Sequence, residues 1–223
     1  GSGQHADVYQ YWGGAKDRII IRCNKAYDNS AQQFLAAQSK DSPTTNLAFY
    51  NNLVDAYYET VWSMMMSGVY RNVIFEHNTI WNSVSTMILR DGMTQHGKNK
   101  HFVVRNNILG TGGGFRDINR GEEFLCDYNL FDYNRGDLSG IGPHSIATNA
   151  AQARPTQTPL FDHVKVREKD ARYDFYAPGG DFTPAADSPA VDAGSATSGI
   201  GYDINFNPRD DKPDIGAFER QKE

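Results

Sequence analysis

Five stretches of the chain repeat one arrangement of apolar and polar positions. "RIIIRCNKAY", "NLAFYNNLVD", "NVIFEHNTIW", "HFVVRNNILG" and "EFLCDYNLFD" superpose without gaps on Asn24, Asn52, Asn78, Asn107 and Asn129. Apolar residues stand five and three places before each Asn: Ile19 and Ile21, Leu47 and Phe49, Val73 and Phe75, Phe102 and Val104, Phe124 and Cys126. Arg22, Tyr50, Glu76, Arg105 and Asp127 stand two places before it. This period of two predicts a strand with one face in a core and the other outward. The Asn residues are about 28, 26, 29 and 22 positions apart, the spacing of a repeat architecture.

A further strand is predicted about ten residues beyond each Asn-marked one, in "DVYQYW", "QFLAAQ", "TVWSMM", "TMILRD" and "FRDINR". Two strands per repeat, short turns and no long amphipathic helix predict an all-β solenoid. The stretch "SAQQFLAAQSK" (30–40) also fits a short helix. Asn is a common turn former at strand ends. Five aligned copies stacked about 4.8 Å apart instead predict a ladder in which each amide donates to the next, a structural role.

Composition agrees with a thin core and many turns, since only 39% of the 223 residues are hydrophobic. A formal charge of −5 and the lack of a basic cluster argue against a nucleic-acid partner. No apolar run approaches the ~20 residues of a membrane span. Cys23 and Cys126 belong to the first and last aligned repeats, roughly 19 Å apart if four rungs of about 4.8 Å separate them. That exceeds the ~7 Å limit for a disulfide and predicts two free thiols.

The pattern divides the chain into solenoid coils over 1–136, a connector over 137–158 and a capping segment over 159–223. Only Pro43 and Pro143 precede residue 150, while seven prolines follow. "QHADVYQYW" already reads as a rung strand, which predicts an N-terminally incomplete solenoid able to self-associate through an uncapped end.

The last segment carries "TPLFDH" (158–163), "ADSPAVDAG" (186–194) and "RDDKPDIGAFE" (209–219), and the first coil carries "HADVYQ". Together these resemble bacterial right-handed parallel β-helix repeat proteins, a superfamily of polysaccharide lyases, glycoside hydrolases, epimerases, tailspikes and non-catalytic coils. The resemblance implies a right-handed parallel β-helix with a C-terminal cap, and a secreted or periplasmic carbohydrate-active protein. Val191, Ile215 and Phe218 are expected to cover the open core, with Asp192, Asp203 and Asp214 anchoring turns. The acidic loop "DINFNPRDDKPD" (203–214) offers carboxylates and carbonyls to Ca2+, although it lacks the EF-hand spacing and contains Arg209 and Lys212.

Strands in register align outward side chains into columns, and such a face can grip an extended polymer. The further strand is the richer one: His5, Asp7, Tyr9 and Trp12 in the first coil, Tyr57, Tyr58, Glu59 and Trp62 near the third, Arg90 and Asp91 in the fourth, Arg116, Asp117 and Arg120 in the fifth. Aromatics stack on sugar rings and Arg pairs with uronate carboxylates, so the mix suits an acidic polysaccharide. Taken singly, each residue also fits a solvated β-face, with Arg90–Asp91 and Arg116–Asp117 paired laterally.

β-Elimination needs a base for the C5 proton and a cation for the carboxylate. His5, Tyr58 or Arg90 is a candidate base, and Arg116, or calcium on Asp7 and Asp91, a candidate neutraliser. Glycoside hydrolysis needs two carboxylates about 5–9.5 Å apart, for which Asp91 and Asp117 are the natural pair. A binding module without catalysis, or a piece of a larger enzyme, is the competing class. "HGKNKH" (96–101) puts two His and two Lys in one inter-strand loop without the acidic or thiol partners a zinc site needs; it reads as an ordinary solvated loop or, through Lys98 and Lys100, as a basic lip over an anionic substrate. "GTGGG" (110–114) reads as a tight turn, "WSMMM" (62–66) as core packing, and His77 as a structural residue beside Glu76.

Overall fold

The computed structural model describes residues 8–11, 13–29, 34–56, 62–83, 85–90, 93–94, 97–111, 115–116, 121–132, 140–148, 160–161 and 181–222. Their backbone is almost all strand and turn, with one short 3-10 helix at Ala196–Ser198. The first repeat contains β1 (Tyr9–Tyr11), β2 (Lys16–Arg22) and β3 (Lys25–Asn29). Next come β4 (Leu35–Tyr50), β5 (Leu53–Ala56), β6 (Trp62–Glu76) and β7 (Thr79–Ser83). They are followed by β8 (Ser85–Arg90), the short β9 (Met93–Thr94) and β10 (Gly97–Lys98), β11 (Lys100–Arg105) and β12 (Ile108–Thr111). The series closes with β13 (Phe115–Arg116), β14 (Glu122–Asp127), β15 (Leu130–Asp132) and β16 (Ile146–Thr148).

Pairing is parallel throughout, apart from the β9–β10 hairpin and two isolated bridges. The strands before the ladder Asn pair in the order β2, β4, β6, β11, β14, and Ile19, Leu47, Val73, Phe102 and Phe124 lie in one register column. The further strands β1, β8, β13 and the first halves of β4 and β6 form a second ribbon of the same sheet. Residues 35–40, for which the sequence also allowed a helix, are strand.

The repeats differ from the sequence expectation in one respect: they contain three strands. A strand starts directly after each ladder Asn, and these strands pair in the order β3, β5, β7, β12, β15, with β16 added beside β15. No Gly or Pro announces the corner between them, because the residue before each Asn turns the chain in the left-handed region. Cys23, Asn51, His77, Asn106 and Tyr128 have φ between 51° and 57°. Such values cost most side chains energy, and Asn and His tolerate them better than most.

The ladder explains why this corner recurs. Asn24 Nδ2 donates to Asn52 Oδ1 at 2.8 Å, and the same contact links Asn52 to Asn78, Asn78 to Asn107 and Asn107 to Asn129 at 2.9–3.0 Å. The second amide proton goes to a neighbouring strand's carbonyl, as from Asn78 to Phe49 O at 2.9 Å. Asn52, Asn78, Asn107 and Asn129 are fully buried. Their polar atoms are therefore satisfied where an unpaired amide would be costly. Beside them Phe49 and Phe75 stack at 5.2 Å, Phe102 and Phe124 at 5.9 Å, with Met64 and Met66 closing the core. Both cysteines are free thiols, Cys126 buried and Cys23 half-buried.

The strand after the ladder carries an outward apolar column, Leu53, Ile108 and Leu130, and Trp81 lies on the same face. Residues 181–222 cover it. Ile215 and Phe218 are buried against this flank of repeats 2–5, not over the open end of the stack, and Val191 is half-buried. The segment crosses the repeats and returns. Ser195 N donates to Asn106 Oδ1, Arg105 holds Thr197, Asn51 donates to Tyr202 O, and Lys25 reaches Asn205. On the way back, Arg209 contacts Asn51, Ala217 N donates to Thr79 Oγ1, and Gly216 N donates to Asn106 O. Gly216 has φ 107°, and a Cβ there would stand 2.7 Å from Ile108. Asp203 accepts from Asn205 and Asn207, and Asp214 from Asp192 and Arg220, so both anchor turns.

Candidate functional site

A second left-handed position occurs in every repeat, six residues before the ladder Asn. Arg18, Asn46, Asn72, His101 and Glu123 have φ between 55° and 58°. A left-handed residue inside a strand shifts the in–out alternation, so two consecutive side chains reach the outer surface. The outer face therefore carries two adjacent columns: Asp17, Thr45, Arg71, Lys100 and Glu122 in one, and the left-handed residues in the other.

The left-handed column builds an outer ladder. Asn46 Nδ2 donates to Asp17 Oδ1 at 2.7 Å, and Asn72 Nδ2 donates to Asn46 Oδ1 at 3.0 Å. His101 Nδ1 lies 3.1 Å from Asn72 Oδ1, and its Nε2 contacts the Glu123 carboxylate. Because both amides point their donors toward Asp17, the His101 ring donates through Nδ1. The Thr45 hydroxyl also donates to Asp17 at 2.6 Å, and these two donors hold the Asp17 carboxyl below its usual range.

Between this ladder and the β9–β10 hairpin lies an open groove of about 660 Å3, lined by Thr45, Arg71, Asn72, Lys98, Lys100 and His101, with Gly97 and Glu122 completing it. Lys100 stands between Arg71 and Glu122 in register, and its Nζ lies 3.5 Å from Glu123 and 4.0 Å from Glu122. Next to the polar columns runs an outward apolar one, Ile20, Ala48, Ile74, Val103 and Leu125, of which Ile20, Ile74 and Leu125 are exposed. The surface thus grades from cationic through amide to apolar, a sequence that suits a ring bearing a carboxylate.

Lys98 and Lys100, singled out from the sequence, both line this groove. Tyr9 pairs in register with Leu35, which pairs with the buried Met64; its ring meets Phe34 edge-on and its hydroxyl donates to Asn24. The backbone sets Trp62 opposite Ser85 and Arg116 opposite Ile88, two positions before Arg90 on β8. Arg90 and Arg116 thus occupy alternate positions of neighbouring strands. His5, Asp7, Trp12, Tyr58, Glu59, Asp91, Asp117 and Arg120 lie outside the described residues.

Arg71, Asn72 and Glu123 are not among the candidates the sequence offers, because the charged and aromatic residues of the further strand dominate it; His101 enters only as the last residue of "HGKNKH". The signal was present as aligned columns six and seven places upstream. His77 is fully buried: Asn106 Nδ2 is 2.9 Å and Ser198 Oγ 3.0 Å from its Nε2. Burial, reinforced by the Arg209 and Arg105 charges, holds it well below an ordinary histidine pKa. Gly110 sits in β12, not in a turn, and its missing side chain leaves room for the Trp81 indole.

Among the described residues no group of three His, Cys, Asp or Glu could hold a metal ion. No helix among them is long and apolar enough to cross a membrane. No family model matches the sequence, and neither a curated protein nor a solved structure matches it.

Proposed function

We propose that this chain is a right-handed parallel β-helix of the carbohydrate-active kind, and that it cleaves an acidic polysaccharide by β-elimination. Parallel strands in register, the Asn ladder and the C-terminal "SPAVDAG" and "DIGAFE" motifs support the fold. The observation that carries the substrate class is the convergence of Arg71, Lys98, Lys100 and His101 on one open groove beside an apolar column. Cations at a uronate carboxylate acidify its C5 proton; a base removes that proton, a C4–C5 double bond forms, and the C4–O bond breaks as the leaving oxygen is protonated. His5, Tyr58 and Arg90 are the candidate bases, and Arg116 is the candidate neutraliser. Asp7 and Asp91 would hold calcium if the neutraliser is a metal. Action outside the cytoplasm, in a secreted or periplasmic setting, belongs to the same reading.

A second reading, binding without cleavage, draws on a specific feature. Within the groove, His101 contacts partners through both ring nitrogens, and Glu123 is engaged by His101 and Lys100. Both side chains are thereby held by protein partners, which suits binding more than proton abstraction.

The test is a screen of purified protein against pectate, alginate, glycosaminoglycans and neutral glucans, with and without calcium. Ultraviolet absorbance of unsaturated uronates rising together with new reducing ends is the expected result. Reducing ends alone would mean hydrolysis, and silence in both channels with retained binding would mean a binding module.

A further inference from the structure

The charges along the groove are unevenly placed, and this bears on how a polymer lies. In the column Asp17, Thr45, Arg71, Lys100 and Glu122, the cations occupy only the two central repeats. Glu123 adds a second carboxylate at one end, and at the other Asp17 is paired with Arg18, whose Nε lies 3.0 Å from its carboxylate. Rungs are about 4.8 Å apart, so Asp17 lies roughly 10 Å from Arg71 along the stack and Glu122 about one rung from Lys100. The second distance is within the ~8 Å screening length of physiological salt, and the first is somewhat beyond it.

A sugar unit is about as long as one rung is high, about 4.8 Å. A polyuronate running along the stack would set its third and later carboxylates either beside Glu122 and Glu123, where like charges repel, or beside Thr45 and the Asp17–Arg18 pair, where the cation already has a carboxylate. A chain running across the stack bypasses Asp17 and meets Glu122 and Glu123 only at Lys100, which they already engage. Its path leads from Lys98 on the hairpin, over Arg71 and Lys100, past Asn72 and His101, onto Ile74 and Val103. We infer that the groove binds a short anionic segment of about two sugar units laid across the stack, bounded by the Asp17–Arg18 pair on one side and by Glu122 and Glu123 on the other. This rests on the acidic-polysaccharide reading and adds to it the direction and length of the bound segment. It also makes the glutamates specificity residues, since the ligand's carboxylate competes with theirs for Lys100.

The experiment is calorimetric titration of the full chain at low salt with galacturonate oligomers from one to six units, and with neutral glucose oligomers of equal length. Affinity is expected to rise to two or three units and then stay flat. Arg71→Ala and Lys98→Ala should each weaken acidic oligomers of every length about tenfold, the loss of one charge-assisted contact. Asp17→Asn should change the affinity of the six-unit chain by less than twofold, and Glu123→Gln should tighten even the two-unit segment. Affinity that climbs through six units, together with tightening by Asp17→Asn for long chains only, would overturn the crossing direction while leaving the acidic ligand in place. Binding of neutral and acidic oligomers alike, or of neither, would overturn the substrate class itself.

Discussion

Asn72 Oδ1 accepts from His101 Nδ1 across 3.1 Å, one repeat away on the outer face, while Asn72 Nδ2 donates to Asn46 in the opposite direction. The protein therefore carries two ladders, one of five asparagines of which four are buried and Asn24 is half-buried, and an exposed one that ends in carboxylates. Apart from Asp17 at its end, the outer ladder sits on residues whose backbone is left-handed, so Asn46, Asn72, His101 and Glu123 answer to conformation as well as to hydrogen bonding.

That double requirement separates two substitutions. Asn72→Ala should cost about 1–2 kcal/mol, because Ala resists φ 56° and removes both amide contacts. Asn72→Gly removes the same contacts but accepts the backbone, so it should cost less. Urea unfolding of the two variants measures the difference, and an equal loss in both would leave the left-handed backbone without energetic weight.

The buried ladder should be less forgiving. Asn78→Ala leaves Asn52 Nδ2, the Asn107 carboxamide oxygen and Phe49 O short of partners inside the core, and should lower stability by about 1–3 kcal/mol. An unchanged melting temperature would show that the ladder only accompanies the fold.

Two adjacent residues should give stability opposite dependences on pH. Burial lifts Glu76 to about 7, despite the Arg105 Nε 2.6 Å from its carboxylate, so the native state holds a proton that the unfolded chain releases near 4.5. Stability from Glu76 is therefore complete below pH 4.5 and lost as pH rises to about 7. His77 is depressed instead, so its contribution is complete above 6.5 and lost as pH falls below that value. Between pH 4.5 and 6.5 the two slopes oppose each other. Chemical denaturation across this range should show Glu76→Gln stability rising more steeply with pH than wild type, and His77→Gln stability falling with pH. Parallel curves for all three proteins would refute the assignment.

At Gly110 a Cβ would stand 2.0 Å from the Trp81 ring. Gly110→Ala should therefore cost about 1–3 kcal/mol through overpacking. In a double-mutant cycle, Trp81→Ala should absorb most of that cost, and strict additivity would place the strain elsewhere.

The buried side of the architecture was legible along the chain. Ile19 and Ile21, and their four counterparts, alternate with outward residues at period two, and local sterics then assign their faces wherever the partner strand comes from. The five asparagines were legible for the same reason: a repeat that stacks identical positions brings identical amides within bonding distance. The third strand of each repeat was not, because its corner is made by left-handed Cys23, Asn51, His77, Asn106 and Tyr128, which carry no Gly or Pro signature.

The groove depends on stacking in a way that no single repeat contains. Lys100 and His101 stand in the basic "HGKNKH" stretch, but Arg71 lies about 30 residues away and nothing local distinguishes it from any solvated polar residue. The path of residues 181–222 along the flank was likewise decided in three dimensions. Leu53, Trp81 and Ile108 form an apolar face only after their strands pair, and burying that face is what draws the C-terminal segment across four repeats. Period-two patterning and amide identity are properties of the chain, so the sequence alone determined the strands that carry them and the ladder. Register between distant repeats is a property of the packed stack, so only the tertiary structure decided which charges meet.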